Sequence, residues 1–404
     1  MALVLSILSL IPVGFASMVT GDFSQMIYKP SRSTVYFVLR NRFAMIAASL
    51  FLWLAALIVH LTIAPTAPLV LFITGFLVLL QIILGFVMSP YIMFPSNRRP
   101  SWVSATEAKK SLSPDEPIIG LEINGDARAF PVNWTFRPHI VEETIGGEPV
   151  AMTYCLLSNL GLAFRPELNG QPMHFIMPIQ WENNMMIYDT LGKRLIQQID
   201  GKVMFGPDKG QAIEKYPTQV MSWAAWQWLH PDTRVFNNPS SGLFDTFVRF
   251  FIGRFFLEAN RKREAPMFPT IKEFDDRLPN KTEVIGVEEE GIYRAYSLDY
   301  LCSKEVVNDS IGDKSIVIIC DEEVDVISAY YRNYGGQTRT FERHSEREVA
   351  YMHDDETGSL WNSLGQAVAG PAKGAQLDPY PHFSRILWFI WANFHPQTEL
   401  LAQK

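Results

Sequence analysis

His139 and Cys155 are the two residues whose types and spacing most directly suggest chemistry in this 404-residue chain. Imidazole and thiolate are common ligands for zinc or copper. They are also the two parts of a Cys–His nucleophile, which makes both residues catalytic candidates. His139 precedes the turn Gly146-Gly147 and Cys155 follows it. Strands entering and leaving such a turn are neighbours, so the two side chains are expected at one end of a sheet. Arg137, or His139 in its charged form, would lower the thiol pKa. Ser158 would line the same mouth, and Asn184 would approach from the next hairpin, so Arg137, Ser158 and Asn184 are the ligand-binding candidates. A divalent transition metal is the cofactor such a set would take. With one cysteine a closed four-ligand zinc is disfavoured, and an open site with water or substrate as a ligand is expected. The plainer alternative makes Cys155 a small buried residue at a strand end and His139 a structural histidine.

Other polar clusters have plainer readings. His353, Asp354 and Asp355 form a metal-ligating run, but the adjoining Thr357-Gly358 suits a solvated loop. Asp189 precedes Gly192 and is expected to cap that turn. Asn184 lies at an odd separation from it on one strand, so the two face opposite sides. Arg128 and Arg294 are expected to pair with Glu122 and Glu288. The sequence contains no phosphate-cradling glycine loop, serine-nucleophile elbow or zincin motif.

The elements that position these residues occur twice. Ile118–Cys155 is echoed by Val284–Cys320, with Ile119, Gly120, Glu122, Gly125 and Arg128 returning as Ile285, Gly286, Glu288, Gly291 and Arg294. Gly206-Pro207 returns as Gly370-Pro371, and Trp223, Trp226 and His230-Pro231 as Trp388, Trp391 and His395-Pro396. Four blocks in one order imply an internal duplication of a long unit. A hairpin is expected around Asn124-Gly125-Asp126 and another at Asn169-Gly170. Strands are expected at 150–155, 162–165, 173–177 and 185–188. Trp-rich helices are expected over 219–229 and 384–394. The soluble region is therefore α+β and β-rich, built from two tandem repeats, 101–240 and 280–404. Between them, 241–279 is a linker. Its segment 243–257 places Phe244, Phe247, Val248, Phe251, Ile252 and Phe255 at helical spacing, which suits either a membrane-surface helix or a helix packed between the repeats.

Residues 1–100 read as a membrane anchor. Uncharged apolar runs at about 1–20, 43–63 and 69–88 are long enough to span a bilayer, with a tight turn around Pro65 and Pro68. The lipid bilayer is thus the expected partner. Lys29, Arg32, Arg40 and Arg42 lie in the loop 21–42, and such basic loops prefer the cytoplasm. Residues 101–404 hold 29 basic and 41 acidic side chains, a net of −12. That balance argues against nucleic acid and leaves a small molecule as the expected soluble ligand. Three cysteines are too few for a disulfide framework.

Several motifs resemble one family. They are Asn124-Gly125-Asp126-Ala127-Arg128-Ala129-Phe130-Pro131, Gly146-Gly147-Glu148-Pro149-Val150 after His139, Thr153-Tyr154-Cys155, Tyr188-Asp189 and Gly206-Pro207. In the C-terminal half they are Thr357-Gly358-Ser359-Leu360-Trp361-Asn362 and Phe394-His395-Pro396. Over roughly 101–400 the chain resembles the bacterial and archaeal domain-of-unknown-function family 3179. The resemblance implies a membrane-tethered, extracytoplasmic domain and supplies no reaction. The chain departs from the family pattern at Ser158, where a second cysteine is expected, and at Ile196, where a tryptophan is. Three functions follow: a membrane-anchored binder of a small ligand or metal ion, a tethered Cys/His enzyme, or an interaction module with a decayed site.

Overall fold

A computed structural model describes every residue except 22–26, 64–67, 88–89, 240–241, 272–273, 347–348 and 403–404. The fold is α+β, with apolar helices at the N-terminus and a β-rich body. Contacts divide it into two compact units. One holds residues 1–96, 168–212 and 268–270, and the other holds 97–167, 213–267 and 271–404. The sequence echo alone does not reveal this division, because 168–212 lies within the expected first repeat.

The first unit contains three helices long and apolar enough to cross a membrane: Ala2–Thr20, Arg32–Thr62 and Pro68–Gly85. The second begins well before the uncharged run at 43. Ser31 caps it, its Oγ accepting from the Thr34 amide at 3.1 Å. No proline or glycine interrupts 32–42, so the helix extends back through the expected basic loop. At about 1.5 Å per residue it exceeds a hydrocarbon core of about 30 Å. The surplus turns bury Val35, Val38 and Leu39 against Ile179, Trp181, Met186, Tyr188 and Leu195. Those partners belong to a five-stranded sheet of Phe175–Ile176, Gln180–Trp181, Asn184–Asp189, Arg194–Gln197 and Val203–Phe205. Arg32 adds an ion pair to Glu182 at 3.4 Å. The turn expected at Pro65 lies outside the described residues.

The second unit is organised by an eight-stranded sheet. Its order is Ser101–Ser104, Arg234–Asn237, Asp126–Pro131, Pro117–Ile123, Gln219–Ser222, Val326–Tyr331, Lys314–Asp321 and Val306–Ile311. Asn124 and Gly125 close the 117–131 hairpin with φ of 52° and 82°, the pair of positive values a two-residue turn with the right twist requires. Gly120 has a different reason to be glycine: a Cβ there would lie 2.3 Å from the Trp226 ring. A Cβ on Gly286 would likewise lie 2.4 Å from Trp391. The tryptophan helices are shorter than their periodicity suggests. They run Trp223–Leu229 and Trp388–Phe394, and the residues before each are strands, Gln219–Ser222 and Phe383–Leu387. Ser222 marks the switch by capping the first, its Oγ accepting from Ala225 at 3.3 Å.

The linker helix spans Leu243–Ile252 and continues through a π-helical turn, Gly253–Glu258. Val248 and Ile252 are buried, whereas Phe244, Phe247 and Phe250 are exposed. The helix is therefore amphipathic, its broad apolar side buried along one edge and exposed over the rest. The Phe255 side chain lies outside the described residues. Cys302 and Cys320 form a disulfide, so the count of three cysteines understated their use, and Cys155 is the cysteine outside it.

Candidate functional site

His139 immediately precedes the strand Ile140–Ile145, and Cys155 ends its antiparallel neighbour Glu148–Cys155; the Tyr154 amide donates to the His139 carbonyl at 2.9 Å. Both side chains are fully buried. Burial pushes the His139 imidazole down to about 3; a hydrogen bond with the Phe136 backbone opposes the shift and the charge of Arg137 adds to it. His139 is therefore neutral at physiological pH. Arg137 forms an ion pair with Asp245, and its guanidinium is lowered to about 10 by burial and then by Arg249. The Ser158 hydroxyl donates to the Cys155 carbonyl at 3.5 Å. Asn184 belongs to the other unit, in a polar knot. Its Oδ1 accepts from Gln197 at 2.8 Å and from the Ile199 amide at 3.2 Å, while its Nδ2 donates to Gln198 at 3.0 Å.

Asp189 caps its turn, accepting from the Leu191 and Gly192 amides at 3.0 and 2.8 Å. Arg128 pairs with Asp126 at 2.7 Å rather than with Glu122, whose carboxylate turns back to accept from the Gly125 amide. Arg294 pairs with Asp309 and Glu399 at 2.7 and 2.8 Å, and Glu288 with Lys215. In each case a turn or neighbouring-strand carboxylate lies closer than the one expected.

A polar cleft of about 370 Å³ opens beside the loop that follows Cys155. That is within the range of small-molecule sites. Tyr154, Leu156 and Asn159 form one wall, Asn260 and Lys281 another, and Glu283, Asp325 and Arg385 a third. The loop itself is pinned in place. Asn260 Nδ2 donates to the Leu156 and Leu157 carbonyls at 3.3 Å each. The Tyr154 hydroxyl donates to Asn159 Oδ1 at 3.1 Å. The Leu387 amide donates to the Ser158 carbonyl at 3.3 Å.

The two cations in the cleft differ in their surroundings. Arg385 reaches Glu283 at 3.2 Å and is also paired with Asp325, so its charge is matched. Lys281 donates to Asn260 Oδ1 at 2.6 Å and sits 4.8 Å over the Phe389 ring. Among the described residues no carboxylate lies within ion-pair distance of it. Burial pushes its ammonium down to about 8; Glu264 opposes the shift and Arg263 adds to it. The site therefore presents a half-buried amine close to its own titration at neutral pH, which suits an anion binder or a nucleophile.

A second cavity of about 650 Å³ adjoins this cleft, sharing Asp115 and Asp325 and lined by Ala224, Ala225, Trp228, Val324 and Leu364. A third shares Asp325 and Arg385 and reaches the Cys302–Cys320 disulfide. Among the described residues, one set of metal-ligating donors is gathered closely: Glu342, His353 and Asp355.

A family model described as "Protein of unknown function (DUF3179)" matches residues 93–398. The chain belongs to this family. The DUF3179 match begins just after the three apolar helices and takes in the cleft, the disulfide and the Glu342–His353–Asp355 group. No curated protein and no solved structure matches the chain. The cleft of this DUF3179 protein uses residues that its motifs do not flag. Lys281 and Asn260 lie in or beside the linker, and Arg385 follows no recognisable motif. The one sequence signal near them is the Thr153-Tyr154-Cys155 strand end, which leads into the cleft wall.

Proposed function

We propose that this DUF3179 protein is a membrane-anchored binding protein whose cleft takes a small molecule bearing an oxyanion, carboxylate or phosphate. The observation that carries this reading is Lys281, a partly desolvated ammonium without a carboxylate partner among the described residues. An anion would restore its charge balance, and Asn260 would orient it. Asp115 and Asp325, which also line the cleft, suit hydroxyl or amine donors on the same ligand. The test is calorimetric titration of the full chain in detergent with succinate and with inorganic phosphate. Saturable binding of either that Lys281→Met abolishes supports the reading. Binding unchanged by that substitution, or no binding of either, overturns it.

A rival is thiol or metal chemistry at Cys155 and His139, a reading favoured by the backbone hydrogen bond from Tyr154, next to Cys155, to His139. The neutrality of His139 and the pairing of Arg137 with Asp245 weigh against an activated thiolate.

The soluble region reads as a duplication. Each half has a hairpin whose glycine meets a helical tryptophan, Gly120 with Trp226 and Gly286 with Trp391. In each, the tryptophan donates to a threonine, Thr233 at 3.0 Å and Thr398 at 2.8 Å. In each, a strand runs parallel to the second hairpin strand, Arg234–Asn237 and Glu399–Leu401.

We also infer that the soluble region lies outside the cytoplasm. The Cys302–Cys320 disulfide supports this, since disulfides persist in oxidising compartments. The opposing basic loop is weakened as a signal because Arg32 is engaged by Glu182 and Trp181. The lipid bilayer is a further partner through Leu243–Ile252, where Leu243, Phe244, Phe247 and Phe250 are exposed.

A further inference from the structure

We infer that the hairpin carrying Glu342 and His353 is a binding site for a divalent transition-metal cation, separate from the Lys281 cleft. The strands Phe341–Arg343 and Met352–Asp354 pair antiparallel, with Glu342 directly opposite His353. Asp355 follows two residues after His353, and its amide donates to the Thr340 carbonyl at 3.0 Å, so the ladder continues through it. Alternation along the strand then puts His353 and Asp355 on one face, with Glu342 beside them from the partner strand. Phe341, Met352 and Asp354 face the other way and are buried. The hairpin is thereby fixed from behind, Asp354 accepting from Trp361 Nε1 at 2.9 Å.

One oxygen from each carboxylate and one imidazole nitrogen all lie within 4.8 Å of one another. His353 Nε2 is 3.5 Å from Asp355. Neither Glu342 nor Asp355 has a lysine or arginine within ion-pair distance among the described residues. Two carboxylates this close repel unless a cation sits between them. His353 turns Nε2 toward Asp355, while its Nδ1 is enclosed and has no hydrogen-bond partner among the described residues. The His344 ring lies 5.9 Å from that of His353, edge to face, and offers a second imidazole, as a fourth donor, on the same hairpin.

One imidazole with two carboxylates is a donor set for borderline divalent cations rather than calcium, which takes oxygen ligands alone. Three protein donors leave coordination positions for water or a small ligand, so the site would exchange its metal rather than hold it as a structural staple.

The test uses untagged full-length protein, with zinc chloride as the probe and cobalt(II) as a spectroscopic substitute. The expected result is one equivalent of zinc per chain by calorimetry, with affinity falling roughly tenfold or more in both His353→Ala and Asp355→Asn. Cobalt should give visible absorption bands that His353→Ala removes while the far-ultraviolet circular dichroism stays unchanged. If His353→Ala misfolds, the conservative Asp355→Asn and Glu342→Gln carry the test. Zinc binding that survives all of these substitutions, or no stoichiometric binding, overturns the inference. Because none of these residues lines the Lys281 cleft, succinate and phosphate titrations fail or succeed independently of it.

Discussion

Asn159 donates through its side-chain amide to the Arg385 carbonyl at 3.0 Å, and both residues are left-handed, with φ of 52° and 54°. Asparagine tolerates that conformation, whereas a long side chain such as arginine adopts it at a cost of about 1 kcal/mol or more. Each residue holds the other in the shape that gives the cleft its wall. Asn159→Ala should destabilise the protein by about 1–2 kcal/mol, from the lost bond and the left-handed alanine together. Asn159→Gly should cost less, because glycine keeps the backbone angle. Chemical denaturation compares them, and equal losses would show that conformation is not what Asn159 provides.

The two glycine–tryptophan contacts should behave alike if the halves are copies. Gly120→Ala and Gly286→Ala each push a methyl into an indole, and each should cost about 1–3 kcal/mol. Thermal melting of the two variants measures this. A neutral Gly286→Ala beside a damaging Gly120→Ala would separate the two halves.

Cys155 should not react with iodoacetamide in the native protein at any pH up to 8.5. Its side chain is fully buried, and no charged imidazole neighbours it. Mass spectrometry after native and denaturing alkylation reads this directly. Native modification at pH 6 would instead favour thiol chemistry at Cys155 and His139.

The proposal that the soluble region lies outside the cytoplasm rests on the disulfide and can be tested. In sealed right-side-out vesicles, added protease should digest the region after residue 100, and in inverted vesicles it should not. Without reductant, Cys302 and Cys320 should resist alkylation even after denaturation. Protection in right-side-out vesicles would place the domain in the cytoplasm.

Much of the architecture was legible because its signals are local. The apolar runs mark the three helices, Asn124-Gly125 marks its hairpin, and Asp189 before Gly192 marks its cap. The helical surplus at 32–42 was not legible, because Val35, Val38 and Leu39 are explained only by the sheet that covers them. The strands before Trp223 and Trp388 were hidden by the periodicity of the tryptophans that follow. The cleft was the least legible. Asn159, Asn260, Lys281 and Arg385 are far apart in sequence, and only the fold assembles them. The disulfide was likewise invisible in a count of three cysteines.

Lys281 gives the most direct measurement. Its folded pKa is lowered to about 8 from an ordinary value of 10.5. Between those values the unfolded chain binds more protons, so the native state gains stability as pH rises from about 8 to 10.5. Below about 8 the charged amine in the cleft costs stability throughout. A bound oxyanion reverses this by favouring the charged form, so affinity should weaken as pH rises above about 8, where the free amine loses its proton. Lysines of the full chain are reductively methylated with carbon-13, and the resonance absent from Lys281→Met is titrated with and without succinate or phosphate. The predicted result is a midpoint near 8 in the free protein that moves upward with one of the two anions. A midpoint near 10.5 that neither anion moves would contradict an oxyanion site at Lys281.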